Sequence, residues 1–102
     1  MATRVTFRSA AEADLNGLFD HLSREASPRV AGGYVRRVHA ACMGLETFPH
    51  RGAPRDDLGH GVRLLGFERR VAIAYAVEGD EVMILGVFYG GRDFEVILRG
   101  GG

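Results

Sequence analysis

At 102 residues the sequence has room for one compact domain and excludes separate catalytic and regulatory lobes. An apolar share of 46% with 25% charged residues excludes disorder, and the longest apolar run, Val71 to Val77, falls far short of a membrane span. The 13 basic residues are all arginine and are balanced by 13 acidic ones; strong general affinity for nucleic acid, which needs a basic excess, is therefore not expected.

Thr3 to Arg8 alternates polar residues with Val5 and Phe7, the period of a short half-buried strand. Arg4, Arg8, Glu12 and Asp14 leave no apolar stretch for a signal peptide, so the expected location is the cytoplasm. Ser9 stands three residues before Glu12, the spacing of a capping box, and predicts a helix start at that serine. Ala11, Leu15, Leu18, Phe19 and Leu22 then recur at helical spacing, leaving Glu12, Asn16, Asp20 and Arg24 to water. Ser27 followed by Pro28 gives a second start signal, and the stripe Val30, Tyr34, Val38, Ala41, Cys42 and Leu45 continues until Pro49. Two helices with so short a joint predict an antiparallel hairpin. Gly32 and Gly33 each cost about 1 kcal/mol inside a helix. Either they face Gly17 and let the two backbones approach closely, or the second helix frays or starts late.

Pro49 to Gly61 is rich in glycine, proline and aspartate and reads as a surface loop. Three β-rich runs follow, Val62 to Phe67, Arg70 to Val77 and Glu81 to Tyr89, the last two joined by a turn at Glu78, Gly79 and Asp80. Val71, Ile73, Tyr75 and Val77 share one face of the middle strand, which should hold the helices; Val82, Ile84, Val87 and Tyr89 alternate imperfectly. The order β-α-α-β-β-β predicts an α+β fold, a helical hairpin packed on a small, mainly antiparallel sheet. Residues 1–98 form the expected single domain and 99–102 a flexible glycine tail. Cys42, the single cysteine, reads as a packed thiol.

Three stretches together resemble the RelE/ParE toxin superfamily. In VTFRSAAEADLNGLFDHL, Ala11, Asp14 and Leu15 match the superfamily's first helix, and in ETFPHRGAPR, Pro49 and Gly52 match its turn after the second. GVRLLGFERRVAIAYAVEGDEVMILGVFYGGRDFE carries Arg63 at the usual arginine position and ends on Gly91, Arg92 and Asp93, a pattern of the ParE side. Tyr89 stands where relatives often have histidine.

The resemblance implies the toxin of a type II toxin–antitoxin system, serving plasmid or chromosome maintenance or a stress response. ParE-like members act on DNA gyrase and RelE-like members cleave messenger RNA on the ribosome, and fold alone does not choose. Neutrality and the lack of lysine favour the ParE side, an inhibitor that binds gyrase without chemistry of its own and is neutralised by a cognate antitoxin. The alternatives are a metal-free ribosome-dependent endoribonuclease and an inert partner-binding member. A nuclease would draw on Arg63, Arg69, Arg70 and Arg92 for phosphate, and on Tyr89 or a histidine for proton transfer. The same groups have structural readings, Arg63 and Arg92 paired with Glu68, Asp93 or Glu95, and Tyr89 packed in its strand. For a binder, the resemblance assigns target contact to Tyr89, Arg92, Asp93, Phe94, Ile97 and Leu98, and antitoxin contact to Leu18, Tyr34, Val38 and Arg63. Arg36 and Arg37 read as the solvated face of the second helix. His21, His39, His50 and His60 show no ligand spacing, so neither metal nor cofactor is expected.

Overall fold

The computed structural model describes residues 3–90. The expectations for Arg92 to Leu98 and for the glycine tail lie outside the described residues. The elements are β1 (Arg4–Phe7), α1 (Ser9–Glu25), α2 (Pro28–Met43), a 3₁₀ turn (Gly44–Glu46), β2 (Ala53–Pro54), a second 3₁₀ turn (Asp56–Leu58), β3 (Val62–Phe67), β4 (Val71–Glu78) and β5 (Glu81–Tyr89). Five strands form one sheet in the order β1-β5-β4-β3-β2, with β1 parallel to β5 and every other neighbour antiparallel. The α+β architecture, a helical hairpin on a mainly antiparallel sheet, is the one the sequence predicts. Among the described residues no helix is long and apolar enough to cross a membrane.

The start of α1 differs from the capping-box prediction. The cap is Arg8, in extended conformation and without a side-chain bond, and Ser9 is already helical. Arg8 donates its N–H to Ile84 O at 2.9 Å, while its carbonyl accepts from Ala11 and Glu12. The last bond of the strand thus fixes the cap position, and propensity yields to tertiary pairing. At α2 the local signal holds: Pro28 opens the helix and Ser27 Oγ accepts from Val30 N at 3.1 Å.

The close glycine contact between the helices is absent. A β-carbon at Gly17 would meet nothing within 4 Å, and at Gly32 and Gly33 it would approach only the side chains of Phe19, Arg36 and Arg37. The hairpin is held by side chains instead. Ala11 and Leu18 of α1, Ala31, Tyr34, Val38 and Cys42 of α2, and Leu45 are buried against Ile73, Tyr75, Val82 and Ile84. Each large apolar side chain so buried contributes roughly 1.5–3 kcal/mol. Burial in this layer pushes the Cys42 thiol up to about 12, which leaves it protonated and unreactive.

The imperfect alternation of β5 has a cause. Its register against β4 passes from Tyr75↔Ile84 to Ala74↔Gly86, so Leu85 has no partner and the inward phase moves from even to odd positions. Val82 and Ile84 before this bulge, and Val87 after it, all join the core. Gly86 is required there, because a β-carbon would lie 2.7 Å from the Phe88 ring. The Pro49 to Gly61 loop also departs from expectation, since Ala53 and Pro54 pair with Leu64 and Arg63 and add a fifth, edge strand.

Candidate functional site

Two polar clusters lie along β4. Around Tyr75, the phenol oxygen accepts from Gly52 N at 2.8 Å and donates to Pro49 O at 2.9 Å. Arg63, opposite Tyr75 in the sheet, donates through Nη1 to His50 O at 3.1 Å and to Gly52 O at 2.6 Å. Glu68 is held by Arg37, so the proposed pairing of Arg63 with Glu68 is replaced by these carbonyl contacts. Burial raises the Tyr75 hydroxyl above its ordinary value, against the opposing pull of the Gly52 bond, Arg63 and Arg51.

The second cluster gathers at the β3–β4 turn. The Tyr34 ring meets Phe67 edge-on at 5.8 Å and Tyr89 at 6.3 Å, and the Arg37 guanidinium lies 5.1 Å above it. Arg37 is forked onto Glu68, with Nε to Oε2 at 3.3 Å and Nη2 to Oε1 at 3.4 Å. Burial first, then Glu68 and Tyr89, raise the Tyr34 hydroxyl above its ordinary value, opposed by Arg70 and Arg37. It stays a neutral donor at physiological pH. Tyr89 also tilts against His21 at 5.5 Å, and the two border a cavity of about 410 Å³ between α1 and β5, with Gly17, Leu18 and Val87 in its wall. Asp14 at the base of this cavity accepts from Val87 N at 2.9 Å, capping β5 beyond the reach of β1.

The sequence-derived residues therefore separate. Arg63 pairs across the sheet with Tyr75, whereas Tyr89 pairs with Val71, four residues earlier in β4. At about 3.3 Å per residue, roughly 13 Å of strand lies between those rows. Arg70 and Tyr89 share the turn end, where Arg70 O accepts from Gly90 N at 3.0 Å. Of the residues assigned to antitoxin contact, Leu18 lines the cavity and Tyr34 underlies the turn, while Val38 is wholly buried and supports the face from beneath. Sequence reasoning missed His21, Glu68 and the ordering role of Arg37. Their partners are distant in the chain, and only the Arg70–Val77 strand start hinted at a turn over 68–69. Among the described residues no group of three or more His, Cys, Asp or Glu side chains could hold a metal ion.

The fold places a helical hairpin on a mixed sheet whose first strand runs parallel to its last. The fold is similar to a structure of the chromosomal ParDE toxin–antitoxin system from P. aeruginosa, with TM-score 0.76 and 27% identity over 86% of this chain and 96% of that one. It is also similar to the RelBE2 toxin–antitoxin complex from Mycobacterium tuberculosis, with TM-score 0.63 and 23% identity over 88% of this chain and all of that one. A search of curated proteins found no match. Residues 5–94 match the family of ParE toxins of type II toxin–antitoxin systems, and the chain belongs to that family.

Proposed function

We propose that this ParE-type toxin acts in the cytoplasm by binding DNA gyrase, without chemistry of its own, and is held inactive in a hetero-oligomer by a cognate antitoxin. The observation that carries the choice of binder over nuclease is the state of Arg63. Its guanidinium is engaged by two main-chain carbonyls, roughly 13 Å along the strands from Tyr89. A phosphate-cleaving site needs its cation and its proton carrier within reach of one phosphodiester. The net charge of zero supports the same reading. The ParDE and RelBE2 likenesses are to toxin–antitoxin assemblies, which supports an antitoxin partner here. Target contact is assigned to Tyr89, Arg92, Asp93, Phe94, Ile97 and Leu98.

The test measures supercoiling by purified gyrase beside ribosome-dependent messenger cleavage, using the same toxin preparation. Lost supercoiling with intact messenger is expected; cleaved messenger with normal supercoiling would replace this reading with the endoribonuclease. Truncation after Gly91 should abolish the gyrase effect. Arg63→Ala is a poor probe of chemistry, because it also releases the 50–52 loop.

A further inference from the structure

The β3–β4 connection runs through Glu68, Arg69 and Arg70, with Arg70 N bonded back to Phe67 O, and the two central residues of that turn are left-handed, Glu68 at φ 50° and Arg69 at φ 62°. Such turns ordinarily use Asn and Gly, because a β-carbon is strained there. Neither residue here relieves that strain, and strain of this kind collects where side chains are needed for function. Beneath the turn, Tyr34 is only 8% exposed, and its hydroxyl has no hydrogen-bond partner among the described residues. A buried donor left unmatched carries a penalty that an arriving acceptor would remove. Arg37 and Arg70 face it against one carboxylate, Glu68. Arg69 and Arg70 make no ion pair among the described residues.

The Arg37–Glu68 pair shows what this cluster holds. A guanidinium fork grips a carboxylate, yet its contacts of 3.3 and 3.4 Å are longer than a tight charge-assisted pair, and both side chains are about half exposed. Pairs of that kind are weak and readily exchanged. We propose that the cluster of Tyr34, Arg37 and Arg70 is a binding site for an acidic side chain of the antitoxin, which Glu68 occupies in the free toxin. The arriving carboxylate takes the Arg37 fork and Arg70, accepts from the Tyr34 hydroxyl, and releases Glu68 to solvent. A carboxylate fits better than a nucleic-acid phosphate because the fork already holds one and the chain lacks the basic excess that polyanion binding needs. The proposal rests on the antitoxin reading above.

The test is calorimetric titration of the full chain and three variants with the antitoxin encoded beside it, at low and high salt, with thermal unfolding of each free toxin. Tyr34→Phe should weaken binding about tenfold, as loss of a bond to a charged group does, while the free toxin melts at the same temperature or higher. Arg70→Ala should weaken binding by a similar factor and flatten its salt dependence, and Glu68→Gln should strengthen it a few-fold. If wild type and all variants bound alike, or if Tyr34→Phe lowered the melting temperature, the site would be overturned while the antitoxin reading stood. If the antitoxin did not bind the unmodified toxin, both would fall. Arg70-dependent retention of a labelled oligonucleotide would overturn the carboxylate assignment in favour of phosphate.

Discussion

Tyr75 of β4 and Tyr34 of α2 are both buried between sheet and helices and both carry a phenol raised by burial, but their hydroxyls differ in company. Tyr75 is matched on both sides, by the Gly52 N–H and the Pro49 carbonyl, so it ties a long loop to the sheet. Tyr34 lies under a strained turn with arginines around it and nothing of the described chain to bond. The first region is closed by its own sequence, and the second retains a capacity that the fold does not use. The stabilising cluster and the proposed recognition cluster thus lie at opposite stretches of β4, and variants at the two should separate.

The largest effect is expected at Tyr75→Phe. It leaves a buried N–H and a carbonyl unmatched, at a cost of about 2–3 kcal/mol. In a domain of this size that lowers the melting temperature by roughly 10 °C or more, measurable by circular dichroism. A loss as small as that at Tyr34→Phe would erase the contrast. Arg63→Ala removes the other clamp on the same loop and should cost about 1–2 kcal/mol in urea unfolding. Arg69→Gly relieves a left-handed residue and should stabilise the free toxin by about 0.5–1 kcal/mol, showing that the turn was not selected for stability.

The last effect appears only on the alkaline limb of a stability–pH curve. Cys42 is raised from 9.0 to about 12, and both tyrosines are raised above 10.0. A group whose folded value is raised holds its full contribution below the unfolded value and loses it as pH climbs through the folded one. Stability should be flat to about pH 9, decline from there through Cys42, and decline faster above pH 10. Cys42→Ala should move the onset from 9 to 10; an unchanged onset would show that the thiol is not the group responsible.

Much of the fold was legible because its signals are local. Ser27–Pro28, the two apolar stripes and the Glu78–Asp80 turn each bias a few residues directly and lie where expected, except that Phe19 and Val30, counted in the stripes, are exposed. The errors arose where distant partners decide. Ser9 lost the cap because Arg8 N is already bonded to Ile84, 76 positions away, and β2 exists because Tyr75 and Arg63 fix Gly52 beside β3. The Leu85 bulge was visible as a break in alternation, but only the register identifies the unpaired residue. At the site, Tyr34 and Arg37 were legible as residues of α2, whereas their meeting with Glu68 depends on how the hairpin is laid across the sheet.

The parallel pairing of β1 with β5 joins Arg4 to Glu81, 77 positions apart. Synthesis delivers β1 and both helices first, and their apolar stripes find their full cover only when the last strand leaves the ribosome. Closing so long a loop is slow, and its reward comes late. The nascent toxin thus passes most of its synthesis incomplete and becomes competent in one final step.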